Sequence, residues 1–486
     1  MSIPSNIRVP YFYVDFDPTR AVSGPSLLKY KVLIMGQKLS TGTKEALKLN
    51  LVRNPDEANK FYGAGSQIAR MFEKWFANTN TVEVYGMSIV DLPAGVKSSG
   101  DLTVSGTAAS SSIFPLRVNG KRVNVGILAD DNASAIADKI VTEVNANSLL
   151  PVTATNDDGV ITFTAKNAGI NGNDLDISVN FSDDAMLPDG VSTDVDNVEM
   201  EDGDGNPDIT DILDKLGDEW FHMFVCPWTD NANLTALEAE LDDRFGPIRM
   251  IDGIAYIGKR GSVGDLNTFG STRNSPHVTC KHCQAIPESP EEFATAVCAQ
   301  EASSSEVDPA RPFQTLPLRG ITAPDVIDRF NWQDNNSLLF SGISTFYVDN
   351  GNVVRIQRSI TMYSTNPMGA PDTAYLDTNT MVTLMYLRFD FRNTFLTKYP
   401  RAKLANDGVR LPSNQQILTP KFAKSEAINI FKTWQEDLGL VEDIEQFKED
   451  LVVERDASDP NRLNFLLSPN LINQFRVGAG TIQFLL

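Results

Sequence analysis

Three stretches decide the fold: KVLIMG at 31–36, SQIARMFEKWFA at 66–77 and TVEVYGMSI at 81–89. The first is a short, unbroken apolar run, as expected of a strand covered on both faces. The second places Ile68, Met71, Phe72, Trp75 and Phe76 at helical spacing and predicts a helix from Ser66 to Ala77. The third is a further strand, so the three together form a β-α-β unit, the module from which parallel sheets are built.

Downstream the same alternation returns. DITDILDKLG (208–217) predicts a helix, FHMFVCPW (221–228) a strand, and NLTALEAELDDRFG (233–246) a helix with Leu234, Leu237, Leu241 and Phe245 on one stripe. GIAYIGKRG (253–261), HVTCKHC (277–283) and the helix EEFATAVCAQ (291–300) continue the series. A hairpin of ISTFYVD and VVRIQRSITMY, turning at Asn350-Gly351-Asn352, follows from about Phe340.

From about Asp91 to Ile209 the texture differs: Gly, Ser, Thr, Asn and Asp dominate, with short β-type runs such as FPLRVNGKRVNVGI and GVITFTAKNAG. Asn119-Gly120 and Asp158-Gly159 are the strongest hairpin signals in the chain, because both central residues of a type I′ turn need positive φ. A β-rich insertion with one helix, about Ser134 to Asn145, accounts for this segment. The last third carries two long helices, about Asn379 to Tyr399 and Ser425 to Leu438, then strand-like VVERD, LNFLLS and FRVGAGTIQFLL. At the other end IRVPYFYVDF alternates Ile7, Val9, Tyr11 and Tyr13 on one face while Pro10 removes a ladder donor, the pattern of an edge strand on an arm. No repeat of 20 to 50 residues is visible, which argues against a solenoid or propeller.

Composition bounds the function. The chain has 486 residues, enough for several domains, and a formal net charge of -21, which disfavours tracking a phosphate backbone. No apolar run approaches the roughly 20 residues of a membrane helix, and MSIPSNIRVP lacks the features of a secretory leader, so a chain made and used without export is expected. The four cysteines, Cys226, Cys280, Cys283 and Cys298, are too few to staple such a chain, and a reducing compartment is the default.

The motifs with chemical potential are weak. Gly253 to Lys259 fits G-x-x-x-x-G-K, but Arg260 stands where Ser or Thr would hold magnesium, and Ile254, Tyr256 and Ile257 read as a buried strand. His277, Cys280, His282 and Cys283 offer metal ligands without the second pair that closes a tetrahedral site, and a strand equally well buries Cys280 and exposes His282. DGDGN at 202–206 lies in an acidic run and resembles a calcium loop, but lacks the full EF-hand spacing; a solvated linker is favoured. With three histidines and no G-x-S-x-G elbow, no nucleophilic triad can be assembled. The helix from Asn379 carries Arg388, Arg392, Lys398 and Arg401 beside Phe389, Phe391 and Phe395, a locally basic face in an acidic protein.

The two ends then carry a resemblance. SNIRVPYFYVDFDPTRA (5–21) and DPNRLNFLLSPNLINQFRVGAGTIQFL (459–485) resemble the ends of Mu-like contractile tail sheath proteins, and the order of segments resembles theirs throughout. The resemblance implies a multidomain α/β (α+β) protein divided as follows: N-terminal arm 1–20, α/β core 21–90, β-rich insertion 91–207, resumed core 208–370, tube-facing domain 371–470 and C-terminal arm strand 471–486. It implies a structural subunit, without enzymatic activity or cofactor, that polymerises helically around an inner tail tube and contracts to drive it through the host envelope for genome ejection. Expected partners are further copies of itself in stacked rings, the tail tube protein, and baseplate and terminator proteins, with no nucleic acid and no membrane insertion; the expected place is the virion tail, assembled in the host cytoplasm. Ile7, Val9, Tyr11, Tyr13, Ile482, Phe484 and Leu486 would then be arm residues that add to a neighbour's sheet, and Arg388, Arg392 and Lys398 would face the tube. The rival classes are an α/β enzyme, since fold alone never excludes one, and a surface-array protein, disfavoured by the missing leader.

Overall fold

The computed structural model describes residues 28–182, 184–410, 412 and 415–485. They form two compact units, 386–473 in one and 29–385 with 474–485 in the other.

The larger unit begins with β1 (Lys31–Gln37), β2 (Leu49–Val52), α1 (Pro55–Tyr62), α2 (Gln67–Asn78) and β3 (Glu83–Ile89). β1 and β3 run parallel in register from Lys31↔Glu83 to Gln37↔Ile89. α2 begins where the sequence predicts, because the Ser66 hydroxyl accepts from the Ala69 amide and satisfies one of the orphan donors of the first turn.

An antiparallel region follows: β4 (Ser99–Gly106), β5 (Ser112–Val118), β6 (Lys121–Ile127), α3 (Ala133–Ala146), β7 (Val152–Asp157), β8 (Val160–Ala165), β9 (Ile177–Ser178), β10 (Val191–Thr193) and β11 (Asn197–Val198). These strands make two four-stranded sheets, β10-β4-β8-β7 and β11-β9-β5-β6. They enclose their own core, including Leu102, Phe114, Val125, Ile136, Ile140 and Phe163. Both hairpin signals are realised: Asn119 and Gly120 have φ of 48° and 77°, Asp158 and Gly159 50° and 94°.

The chain then returns through α4 (Thr210–Leu216), β12 (Met223–Val225), α5 (Asn231–Phe245), β13 (Ile254–Lys259), α6 (Val263–Ser271), β14 (Val278–His282), α7 (Pro290–Val307), α8 (Trp332–Phe340), β15 (Ile343–Val348) and β16 (Val354–Arg358). One eight-stranded sheet results, ordered β16-β15-β14-β13-β12-β1-β3-β2. All its pairings are parallel except those of the outermost strands, β2 on β3 and β16 on β15. Leu33, Met35, Phe224, Ala255 and Ile257 pack with Leu213, Leu234, Leu237, Leu266 and Leu338 of the helices on one side. On the other side α7 lies so close to β13 that a Cβ on Gly258 would sit 2.0 Å from the Pro290 carbonyl oxygen.

Helix α9 (Thr378–Lys398) leads out of this unit. The smaller unit adds β17 (Lys403–Leu404), β18 (Ile417–Leu418), α10 (Pro420–Glu436), β19 (Val441–Glu442), α11 (Ile444–Asp450), β20 (Val452–Arg455), β21 (Leu463–Leu466) and β22 (Asn470–Leu471). α10 starts five residues before the sequence expectation, since Thr419 caps it and Pro420 occupies its first position, where no amide is needed. Its core stacks Phe431 on Phe447 at 4.0 Å. The buried Trp434 indole donates to the Asp390 carboxylate at 2.7 Å. The terminal stretch expected to form a strand has no ladder among the described residues: residues 472–485 carry no regular structure. A strand needs a partner, and none of the described sheets offers it one.

Replacing Gly258 by Ala forces β13 and α7 apart at a backbone contact. The expected loss is about 1–3 kcal/mol, read as a lower urea midpoint at an unchanged m-value.

Candidate functional site

The C-terminal tail has a fixed root and a bare end. The Arg476 guanidinium pairs with Asp377 at 3.1 Å and donates to the Asn379 side chain at 3.3 Å. Asp377 is held in turn by Arg358, which donates to both of its oxygens at 3.2 Å. Gln474 donates to the Ala310 carbonyl and Gln314 to the Phe475 carbonyl, each at 3.2 Å. Burial pulls the Arg476 guanidinium below its ordinary value against the opposing attraction of Asp377, as expected of a cation seated in the protein. Beyond this anchor Val477, Ile482, Phe484 and Leu485 are 82, 92, 78 and 101 % exposed. Of the expected arm residues, Ile482 and Phe484 are thus uncovered apolar side chains, whereas Ile7, Val9, Tyr11, Tyr13 and Leu486 lie outside the described residues.

The basic helix face is split by its geometry. Arg388 and Arg392, four residues apart, share one side of α9, while Lys398 lies roughly 120° round from Arg392. Arg392 is exposed. Lys398 donates to the buried Glu426 at 2.6 Å, so its charge already has a partner within the chain. The neighbouring aromatics face inward: Phe391 and Phe395 pack on Phe465 of β21 at 5.5 and 5.1 Å.

The metal-like cluster is dispersed. β14 alternates, so Lys281 points to Glu301 on α7 at 3.3 Å while Cys280 joins the core on the opposite face. His282, expected exposed, is 1 % exposed and lies between Phe330 and Phe346, with ring centroids at 5.2 and 4.7 Å. His277 instead approaches Asp242 at 3.3 Å. All four cysteines are free and buried, and burial pushes the Cys280 and Cys283 thiols up to about 12, far from a nucleophilic or metal-binding thiolate. Among the described residues no three His, Cys, Asp or Glu side chains converge as a metal site. The loop at 202–206 is tied by Asn173 to both the amide and carbonyl of Gly203 at 2.8 and 3.0 Å, and by Asn206 to Asp230 at 2.9 Å.

The G-x-x-x-x-G-K match is strand β13, buried from Ile254 to Gly258, and not a phosphate-cradling loop. In a sheet of this winding a ligand would enter where the strand order reverses, here at the carboxyl ends of β1 and β12. That crevice is filled by the chain itself. The Gln37 amide donates to the Ala168 carbonyl at 2.7 Å, and Asn171 donates to the Pro227 carbonyl at 2.7 Å. A second cavity, of about 440 Å³, is lined by Leu339, Phe340, Arg358, Tyr363 and Asp372. Its charged groups are committed, Arg358 to Asp377 and Asp372 to the Tyr363 hydroxyl at 2.5 Å. No described helix is long and apolar enough to cross a membrane.

The class of protein is given by its relatives. The family profiles described as the phage tail sheath protein central domain and the phage tail sheath C-terminal domain match residues 202–362 and 370–485. The chain is 38% identical over 485 residues to the Mu-like prophage FluMu tail sheath protein of Haemophilus influenzae, covering 100% of this chain and 99% of the relative. Among solved structures its fold is similar to a sheath tail protein from Listeria innocua, with TM-score 0.50, 11% identity and coverage of 93% of this chain and 94% of that one. It is likewise similar to the contracted sheath of an extracellular contractile injection system, with TM-score 0.50, 7% identity and coverage of 99% and 98%. The chain belongs to the phage tail sheath family and is a structural subunit of a contractile sheath.

Burial drives both His222 and His282 down to about 3 from an ordinary 6.5. Between pH 6.5 and 3 the unfolded chain therefore binds protons that the folded chain refuses, and stability falls with falling pH by up to about 1.4 kcal/mol per unit for each histidine. His282→Phe, which keeps a ring between Phe330 and Phe346, is expected to flatten the pH dependence of the urea midpoint between pH 6 and 4.5 by one histidine's share.

Proposed function

We propose that the subunits polymerise helically around an inner tail tube, that the polymer shortens to drive the tube through a cell envelope for genome ejection, and that the tail from Val477 onward is the strand each subunit lends to a neighbour. The observation that carries this reading is the tail itself: a root fastened by Arg476, then uncovered apolar side chains with no ladder of their own. An unpaired apolar strand is an aggregation hazard in a free protein and a ready connector in a polymer. Fully extended, residues 477–485 reach about 30 Å, enough to cross to another subunit. The hairpin β20–β21 offers an acceptor: it is a two-stranded sheet with no third strand among the described residues, and Val452 and Leu466 on it are 45 and 61 % exposed. Such a hairpin gains from a further strand, since two strands alone are marginally stable.

The rest of the division extends the same proposal. Residues 1–20, with Ile7, Val9, Tyr11 and Tyr13, form the second arm; 21–90 and 208–370 form the core, 91–207 the insertion, 371–470 the domain that meets the tube, and 471–486 the C-terminal arm. Tube protein, baseplate and terminator proteins are the heterologous partners, assembly takes place in the host cytoplasm, and the work of contraction comes from repacked subunit contacts without catalysis or cofactor. Arg388, Arg392 and Lys398 are the tube-facing cations of this reading; of the three Arg392 is exposed and Lys398 is paired to Glu426.

A chain ending at Arg476 is expected to melt within about 2 °C of the full chain, because the removed residues are solvated. It should form no tubes in negative-stain electron microscopy when co-expressed with its tube protein. Deletion of residues 1–16 is expected to give the same folded, non-polymerising product, and tubes of normal width from either truncation would refute the arm assignment. Arg388→Glu with Arg392→Glu is expected to abolish sheath on tube; unimpaired sheath-tube assembly would reject the tube-facing role.

A further inference from the structure

The insertion does not hang from its two linkers. Its β5–β6 turn enters a buried charged pocket at the start of α7: Asn119 is 1 % exposed and its side-chain amide donates to Glu292 at 2.6 Å. Glu292 also pairs with the Arg70 guanidinium and with Lys74 at 3.7 Å, both from α2. Arg70 reaches Glu291 at 3.3 Å and Lys74 reaches Glu288 at 3.4 Å. Glu288, Glu291 and Glu292 are each no more than 2 % exposed. Burial works against ionising Glu292, but Arg70, Lys74 and the Asn119 amide outweigh it and hold the carboxyl below its ordinary range. Only glycine fits next to Asn119, because a Cβ on Gly120 would lie 2.3 Å from a Glu288 oxygen and the backbone has φ +77°.

A second fastening, distinct from the turn, stoppers the crevice between β1 and β12. Besides the bonds from Gln37 and Asn171, the Gln67 amide donates to the Asn167 side chain at 3.0 Å and Arg260 donates to the Asp174 carbonyl at 2.6 Å. What remains there is a cavity of about 20 Å³, room for a water molecule and for no larger ligand.

We propose that the insertion and the core are locked into one rigid body, the switch-point crevice having become the socket for the chain's own insertion, so that the insertion is carried through contraction without a hinge at residues 90–98 and 199–208. The lock is a property of the single subunit; its role in contraction rests on the sheath reading. Each hydrogen bond to a charged partner favours the closed state by roughly ten- to a hundredfold. Two of the seam bonds are of this kind, Asn119 to Glu292 and Arg260 to the Asp174 carbonyl, and together with the neutral bonds of Gln37, Gln67 and Asn171 they make opening at the seam as rare as opening of the core.

Native-state hydrogen exchange on the full-length monomer, followed by mass spectrometry, tests this apart from any polymer. In the wild type, peptides covering 64–70, 117–122 and 166–172 are expected to be protected as long as β13 is. Asn119→Ala is expected to accelerate exchange at 117–122 and 166–172 by about ten- to a hundredfold while β6, β8 and β13 keep their wild-type rates. Lys121→Met, which removes only the partly exposed pair with Glu73, is expected to change seam exchange less than about threefold. Wild-type seam peptides exchanging far ahead of β13, or an Asn119→Ala seam as protected as the wild type, would overturn the proposal; should Asn119→Ala fail to fold, the wild-type comparison alone decides it. Failure to form tubes bears on the sheath reading only and leaves this result standing.

Discussion

The parallel pairing of β1 with β3 on one side and β12 on the other is the constraint from which the rest of the larger unit follows. Neighbouring strands lie about 4.8 Å apart, so β3 and β12, which flank β1, are separated by about 10 Å. Because both run parallel to β1, the chain leaves the sheet at the carboxyl end of β3 and must come back to the amino end of β12, which α4 leads to once the two linkers of the insertion have met as a narrow gate. The two linkers meet there as a short antiparallel ladder, Val96 opposite Asp204 and Ser99 opposite Glu201. The acidic run after β11 is the return leg of this gate, its Gly203 held by Asn173.

The same placement decides what the crevice can do. A doubly wound sheet leaves a ligand site where its order reverses, and here the insertion is anchored beside that point and fills it. The buried charges of α2 and α7, which in an enzyme would suggest acid-base chemistry, are consumed in holding one part of the chain against another. The cysteines and His282 are interior packing, with protonation equilibria set by desolvation. Polar chemistry at these buried sites serves cohesion, and a run of bare apolar side chains, Val477, Ile482, Phe484 and Leu485, follows the Arg476 anchor.

Much of this was legible beforehand. Runs such as KVLIMG, buried on both faces, announce a parallel strand without a partner in view, and Asn-Gly and Asp-Gly announce their turns because few residues tolerate positive φ. Other elements were hidden. The edge strand β2 and the short helices α1, α8 and α11 carry too few periodic residues to stand out. The start of α10 turned on a Thr-Pro cap. The terminal run reads as a strand by alternation, yet a strand is a relation between two segments, and the described residues supply only one of them.

Sequence alone determined the α/β alternation, the β-rich insertion, the turns and the family, because each is written in local periodicity or in motifs a few residues long. It could not show that Arg70 and Lys74 face Glu288, Glu291 and Glu292, that Asn119 completes their set, or that His282 is buried. On one chain segment an amphipathic pattern containing Arg, Lys or Glu looks the same whether its polar face meets water or a complementary charge, and these partners are more than 170 residues apart. Only the tertiary structure, by bringing β1 between β3 and β12, decided which charges would be solvated and which would be buried against one another.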